Sequence, residues 1–291
     1  MKENVMKKPA WLKQRVCNDA VYNQVRSLIT GLHLHTVCES ADCPNIGECF
    51  GHQTATFLIL GGTCTRACRY CAVPKGRPEA VHTGEPQNLA EAALHLGLKH
   101  IVITSVTRDD LPHGGAEQFA ACIQAVRKSS PETTIEVLIP DFKGSLTAMN
   151  IVLQAEPTVL NHNIETVPRL FPAIRPIADY RQSLAVLKYA AAYKPLPLIK
   201  SGIMVGLGET PEELQRAFED LYRTGVRILT IGQYLRPSPQ HVPVAEYISP
   251  EDFAAYKQMA EAIGFPHVVS GPLVRSSYRA GLMVQECLPQ Y

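Results

Sequence analysis

Six of the nine cysteines in this 291-residue chain fall within 34 residues, as two triplets: Cys38, Cys43 and Cys49, then Cys64, Cys68 and Cys71. Three thiolates are one short of a full tetrahedral set, so each triplet could hold a metal centre that leaves a position to some other group. The second triplet, in GGTCTRACRYCAV, has three and then two residues between its cysteines. That differs from the paired two-residue spacing of structural zinc ribbons, although three cysteines and a histidine remain an alternative ligand set. The first triplet, in HTVCESADCPNIGECF, has four and then five. Pro44 and Gly47 break any helix there, so this segment too reads as a loop wrapped around something. A zinc reading would recruit His33, His35 or His52 as its fourth ligand.

The remaining composition favours metal over disulfide. The opening stretch MKENVMKKPAWLKQRV shows neither an apolar core nor a small-residue cleavage site, so reduced thiols and a cytoplasmic location are expected. No run of 18 apolar residues occurs, and 28 basic against 27 acidic residues give a net charge of +1. Neither a membrane nor a nucleic acid is an expected partner. Cys17, Cys122 and Cys287 lack cluster spacing, and Cys122 falls on an apolar helical face, where a free cysteine behaves as a small hydrophobe.

These residues need a frame to position them. Apolar, β-branched runs at Thr56–Gly61, His100–Val106, Thr134–Ile139, Thr158–Ile164, Ile199–Val205 and Ile228–Leu235 predict strands. Helical periodicity predicts helices at Asn88–Leu98, Gly115–Ser129, Ser145–Gln154, Arg181–Tyr193, Thr210–Thr224 and Pro250–Ile263. Strands without in/out alternation, joined by helices, imply a parallel sheet covered on both faces. The frame is then α/β, either an open doubly wound sheet or a partial barrel of six units, and ligands collect at the strands' carboxyl ends. The second triplet directly follows the first predicted strand. Thr210, Pro211 and Glu213 fit a capping box at a helix start, and the GLGET turn before it could receive an anion or serve only to reverse the chain. Trp11 to Thr30 is expected to be a short helical extension that brings the first triplet over the barrel's mouth.

The three-and-two loop, with Tyr70 before its last cysteine, resembles the signature loop of the radical S-adenosylmethionine enzymes. Combined with the four-and-five triplet and with RSSY at Arg275 to Tyr278, the pattern resembles the lipoyl synthase family. The likeness extends through CPNIGECF, TSVTRDDLPHGGA, LIPDF, NHNIETV, RPIADY, KSGIMVGLGE and GQYLRPS. Biotin synthase would share the barrel and the three-and-two loop, but not a four-and-five triplet ahead of the barrel.

The resemblance implies a partial (βα)6 TIM-type barrel at 51–265, an N-terminal extension at 1–50 with the auxiliary-cluster cysteines, and a C-terminal extension at 266–291 with RSSY. It implies insertion of two sulfur atoms at C6 and C8 of a protein-bound octanoyl-lysine. The implied cofactors are S-adenosylmethionine and two four-iron four-sulfur clusters. One cluster, on Cys64, Cys68 and Cys71, generates a radical from S-adenosylmethionine. The auxiliary one, on Cys38, Cys43 and Cys49, is consumed as sulfur donor. An exchangeable oxygen suits a cluster that must be dismantled, and the family's motif points to Ser277, with adjacent Ser276 the fallback. Without the motif, GPLVRSSYRAG would read as a surface turn, with Arg275 as either a positioning residue or an exposed salt bridge.

Catalysis by side-chain acids and bases is not expected, because an unactivated C–H bond offers such groups nothing to act on. Asn163 and Glu165, at the end of the fourth predicted strand, are candidate contacts to S-adenosylmethionine. They could equally cap the next helix. His162 is read as a packing or hydrogen-bonding residue. Implied partners are octanoylated lipoyl carrier domains (E2 subunits or the glycine cleavage H protein), an electron donor such as ferredoxin or flavodoxin, and a cluster-repair protein.

Overall fold

A computed structural model describes residues 7–13, 20–41, 43–52, 55–195 and 197–287. Eight strands form one sheet in sequence order: β1 (His35–Thr36), β2 (Thr56–Ile59), β3 (His100–Ser105), β4 (Thr134–Leu138), β5 (Val159–Asn161), β6 (Leu198–Val205), β7 (Ile228–Gln233) and β8 (His267–Gly271). β1 is antiparallel to β2, and every later neighbour is parallel. The helices Glu85–His95, Ala116–Ser129, Leu146–Gln154, Tyr180–Ala192, Pro211–Arg223 and Pro250–Ile263 connect β2 through β8. The six expected strands and six expected helices are all present. The sheet remains open, as a partial barrel, with β1 and β8 at its edges.

Two features differ from expectation. His267–Gly271, HVVSG, continues the sheet beyond the boundary drawn at 265; most of the strand is partly exposed because it is an edge, which weakens its apolar signature. No continuous helix runs from Trp11. A single turn at Ala10–Leu12 ends at Lys13, whose backbone is extended (φ −86°, ψ 123°), and a helix occupies Ala20–Gly31. Trp11 is exposed, whereas Val25 and Ile29 of the later helix are buried in the main core. Cys17 lies outside the described residues. No described helix is long and apolar enough to cross a membrane.

The apolar-rich strands follow from burial on both faces. Ile101, Ile103, Val137 and Leu160 point outward into a core shared with the covering helices, where Cys122 is also fully buried. Val102, Val159, Leu198 and Ile228 point inward at the strands' amino ends, where they meet Ala280, Met283, Val284 and Cys287. The C-terminal helix Ala280–Cys287 therefore plugs that end of the barrel. Each of the buried Val, Leu, Ile and Met side chains among them contributes about 1.5–3 kcal/mol.

Next to this plug lies a charged interior layer. Glu136 on β4 accepts from Lys200 Nζ on β6 (2.9 and 3.0 Å) and from Asn161 Nδ2 on β5 (3.0 Å), with His100 Nε2 on β3 3.6 Å away. Burial drives the Glu136 carboxyl upward, but Lys200 and then His100 outweigh it and hold it at about 2.

Candidate metal centres

The second triplet is shaped by the chain's exit from β2. Leu60 and Gly61 both have positive φ (70° and 90°), which turns the backbone out of the sheet. Cys64 N–H donates to Pro74 O (2.8 Å) and Gly76 N–H to Cys64 O (3.0 Å), so residues 64–76 close into a ring. Arg66 anchors the ring with a two-pronged contact to Asp109 (2.8 and 3.0 Å) and further bonds to Asp141 (2.9 and 2.7 Å). The Arg66 side chain is 4% exposed and that of Asp141 0%. Loops after three successive strands are thus tied together beneath the cysteines.

Two of the three sulfurs accept from backbone amides. Cys64 Sγ accepts from the N–H of Arg66 (3.4 Å) and of Thr107 (3.3 Å), and Cys71 is hydrogen-bonded by the backbone at Val73. Burial pushes Cys71 up to about 11 and raises Cys68, where Arg175 acts in the opposite direction. The ordinary neutral thiol needs no such donors; thiolate sulfur bound to metal does, and metal binding would displace the proton.

Asn163 and Glu165 are brought to this same place. Glu165, with φ 68°, receives a hydrogen bond from Asn163 Nδ2 (3.3 Å) and lies close to Tyr70, Arg175 and Cys68. Burial raises its carboxyl despite Arg175. Asn163 Oδ1 and Arg175 Nε are buried without partners among the described residues. Gly202 on β6 faces them; a Cβ there would lie 2.8 Å from Asn163 Oδ1. Uncommitted polar atoms at a strand's end fit an incoming polar ligand rather than a helix cap. His162 is buried, bonded through Nδ1 to Ile139 O (2.9 Å), and held down at about 4 by burial. The GLGET turn is self-contained: Glu209 accepts from the N–H groups of Gly206 and Leu207, so the chain's own carboxylate fills the anion position. Thr210 and Glu213 form the expected capping box.

The first triplet lies at the other end of the strands. β1 runs back along β2, pairing Thr36 with Phe57, and so delivers Cys38 beside Thr56, where β2 begins. The mouth it covers is therefore the amino-end one, opposite the second triplet. Thr56 and Gly61 are separated by roughly the rise of five strand residues, about 16 Å. Cys43 and Cys49 follow on a turn and on the short helix Ile46–Gly51, both close enough to Cys38 to raise its thiol further. Burial is the larger effect and pushes Cys38 up to about 12. At Cys43 burial also dominates, opposed by the backbone at Asn45 and by Arg275.

Cys38, Cys43, Cys49, Arg275 and Ser277 line one cavity of about 530 Å³; Ser276 is not in its lining. Among the described residues Arg275 makes no exposed salt bridge. It donates to Gln233 O (3.3 Å) and Val274 O (2.7 Å), beside Cys43. Of the three histidines that a zinc site might recruit, His52 lines the cavity and His33 and His35 do not. Among the described residues no three His, Cys, Asp or Glu side chains converge on a point suited to a single ion. Both donor sets, three thiols with amide N–H groups at sulfur and one open position, fit iron–sulfur clusters.

Residues 58–221 match the radical SAM superfamily model, and residues 1–43 match the model for the N-terminal domain of lipoyl synthase. Lipoyl synthase from Rubrobacter xylanophilus is 55% identical over 273 residues, which is 94% of this chain and 85% of that protein. Lipoyl synthase from Caldanaerobacter subterraneus subsp. tengcongensis is 53% identical over 275 residues, 94% of this chain and 96% of that one. The chain belongs to the lipoyl synthase family. As a lipoyl synthase family member it is a radical S-adenosylmethionine enzyme that inserts sulfur at C6 and C8 of protein-bound octanoyl-lysine. Its cofactors are S-adenosylmethionine and two four-iron four-sulfur clusters, the auxiliary one being the sulfur donor.

Solved structures of lower identity share the fold alone. Methylornithine synthase (PylB) superposes with a TM-score of 0.55 at 13% identity, covering 83% of this chain and 74% of that one. The [FeFe]-hydrogenase maturase HydG gives 0.58 at 12% identity, covering 94% and 61%.

Several residues around the two triplets have no role that the sequence alone assigns. Arg66, Asp109, Asp141, Arg175 and Glu48 all lie inside motifs quoted for the resemblance, so the signal was present. Only folding shows which of them meet.

Proposed function

We propose that Cys64, Cys68 and Cys71 hold the cluster that binds S-adenosylmethionine, and that Cys38, Cys43, Cys49 and Ser277 hold the auxiliary cluster. The observation that carries this assignment is the shared cavity: the three cysteines of one chain end and Ser277 of the other line it together. Ser277 is preferred to Ser276 on the same ground. The first centre supplies hydrogen abstraction at unactivated carbon when loaded, and the auxiliary one supplies sulfur.

The chain's own residues do the positioning. Arg66, locked between Asp109 and Asp141, fixes the loop of the second triplet against the ends of β3 and β4. Asn163 and Glu165 orient S-adenosylmethionine from the end of β5, with Arg175 holding that loop through bonds to Asn163 O and Ile164 O (3.0 and 3.4 Å). The helix Ala280–Cys287 and its apolar partners exclude water from the amino end of the barrel. The octanoyl chain must then lie between the two ends, with C6 and C8 reachable from both.

The division of labour follows the chain. Residues 1–50 carry the auxiliary cysteines, the barrel from 51 carries radical generation, and the extension from 266 returns Ser277, with β8 belonging structurally to the sheet. The substrate is carried by a lipoyl carrier protein, either an E2 subunit or the glycine cleavage H protein. Electrons come from a ferredoxin or flavodoxin, and a repair protein rebuilds the auxiliary cluster, all in the cytoplasm.

The test is anaerobic turnover with reductant, S-adenosylmethionine and an octanoyl-lysine peptide, read by mass spectrometry beside iron and sulfide counts. Two added sulfurs and about eight irons per chain support the assignment. A Cys38→Ala protein that keeps both its full iron count and its sulfur insertion overturns the assignment.

A further inference from the structure

Ser277 lies on an arm that begins after β8 and ends at the helix Ala280–Cys287. Two residues of the cysteine loop bracket it. On one side Asn45, 1% exposed, donates from Nδ2 to Leu273 O at 2.7 Å. On the other, the Glu48 carboxylate accepts from Tyr278 Oη at 3.0 and 3.2 Å and from Arg279 Nη2 at 3.0 Å. The Arg279 guanidinium also lies 5.1 Å from the centroid of the Tyr278 ring, so the two donors steady each other. Asn45 and Glu48 both come from the segment between Cys43 and Cys49.

The two ties differ in kind. Asn45 makes a neutral, buried bond. Glu48 makes a charged one at the surface, where its side chain is 29% exposed and that of Arg279 is 61%. An ion pair in water is weak and opens readily, although the hydroxyl bond from Tyr278 to a carboxylate is stronger. Arg279 also has φ +52°, a left-handed conformation that a non-glycine residue adopts at a cost and holds when surrounding contacts fix it. The arm is thus anchored firmly before Ser277 and fastened releasably just after it. A ligand that must hold a cluster and later let it go needs that combination.

We propose that Glu48 is a positioning residue for the auxiliary cluster: through Tyr278 and Arg279 it straps the C-terminal arm so that Ser277 stays within reach of Cys38, Cys43 and Cys49. This rests on the assignment of Ser277 as ligand. The strap acts before any metal arrives, so it is measurable without one.

The experiment is hydrogen–deuterium exchange on the cluster-free full chain, paired with Mössbauer spectra of the loaded protein. Glu48→Ala should speed exchange over residues 272–279 about tenfold, with the barrel strands unchanged. Tyr278→Phe, which leaves the cysteine loop untouched, should give a smaller rise in the same segment. Glu48→Gln, which keeps an acceptor, should stay near wild type. Loaded Glu48→Ala should retain its iron while its spectrum moves toward that of Ser277→Ala. Exchange in 272–279 that ignores Glu48→Ala, or a rise spread evenly over the whole chain, overturns the strap. If Ser277→Ala changes the spectrum and Glu48→Ala does not, the strap alone falls. If Ser277→Ala itself leaves the spectrum unchanged, the ligand assignment falls, and the strap falls with it as a ligand-positioning device.

Discussion

Replacing Lys200 by methionine should destabilise the protein by about 3 kcal/mol at neutral pH, and the loss should shrink in acid. Lys200 and Glu136 are 1% and 0% exposed, inside the barrel. Burial alone drives the Glu136 carboxyl upward, yet it is held at about 2 against an ordinary 4.5, chiefly by Lys200. At ~1.4 kcal/mol per pH unit that gap corresponds to about 3 kcal/mol, in line with the roughly 3–5 kcal/mol typical when one partner of a buried pair is removed. Because the folded-state value lies below the unfolded one, the stabilisation is complete above about pH 4.5 and disappears as the pH falls toward about 2. The methionine side chain would still fill the space of the lysine stem, so the loss is electrostatic. Urea unfolding of cluster-free protein at about pH 7 and about pH 3 measures it, with Glu136→Leu/Lys200→Met as the paired control. The double variant should recover most of the loss, since two apolar groups leave no orphaned charge. A single variant within about 1 kcal/mol of wild type, or a loss equal at both pH values, would refute the reasoning.

Other outcomes follow from the two centres. Ser277→Ala should abolish insertion of the second sulfur or both, whereas Ser276→Ala, outside the cavity lining, should retain activity in the same mass-spectrometric assay. Arg66→Met strands the fully buried Asp141; a stability loss of about 3–5 kcal/mol should accompany iron loss confined to the second triplet, read in a background lacking Cys38. Asn163→Ala should weaken S-adenosylmethionine binding about tenfold, the worth of one hydrogen bond to a charged group; wild-type affinity by calorimetry would remove Asn163 from the site.

The strands were legible because each is rich in apolar and β-branched residues, which parallel burial demands, and every one of the six was found. What failed was their far ends. Gly61, Val106 and Ile164 read as strand, yet the sheet stops at Ile59, Ser105 and Asn161 because there the chain turns into site loops. Local pattern records apolarity and is blind to where pairing ends. Likewise Asn163 and Glu165 were singled out by position alone. Their neighbour Arg175 went unassigned because its role depends on a loop folding back over the end of β5. Which mouth the first triplet covers is not legible for a similar reason: β1, His35–Thr36, is too short to leave a periodic signature, and its antiparallel direction decides which mouth Cys38 reaches.

That short strand explains the separation of the two incomplete centres. Three cysteines on one loop can approach a cluster only from their own side, so the missing ligand must arrive from elsewhere. At the carboxyl ends of the strands, the space opposite Cys64, Cys68 and Cys71 is bordered by Asn163 and Glu165, with the unpaired Asn163 Oδ1 to spare for a small ligand. At the amino ends it is bordered by the chain's own C-terminal arm, and the plug of Met283, Val284 and Cys287 fixes that arm in the barrel. One vacancy faces the small-molecule side and the other faces protein. A single centre could not serve both purposes, because a position left open to a diffusing small molecule cannot also be the one that the chain's own end closes.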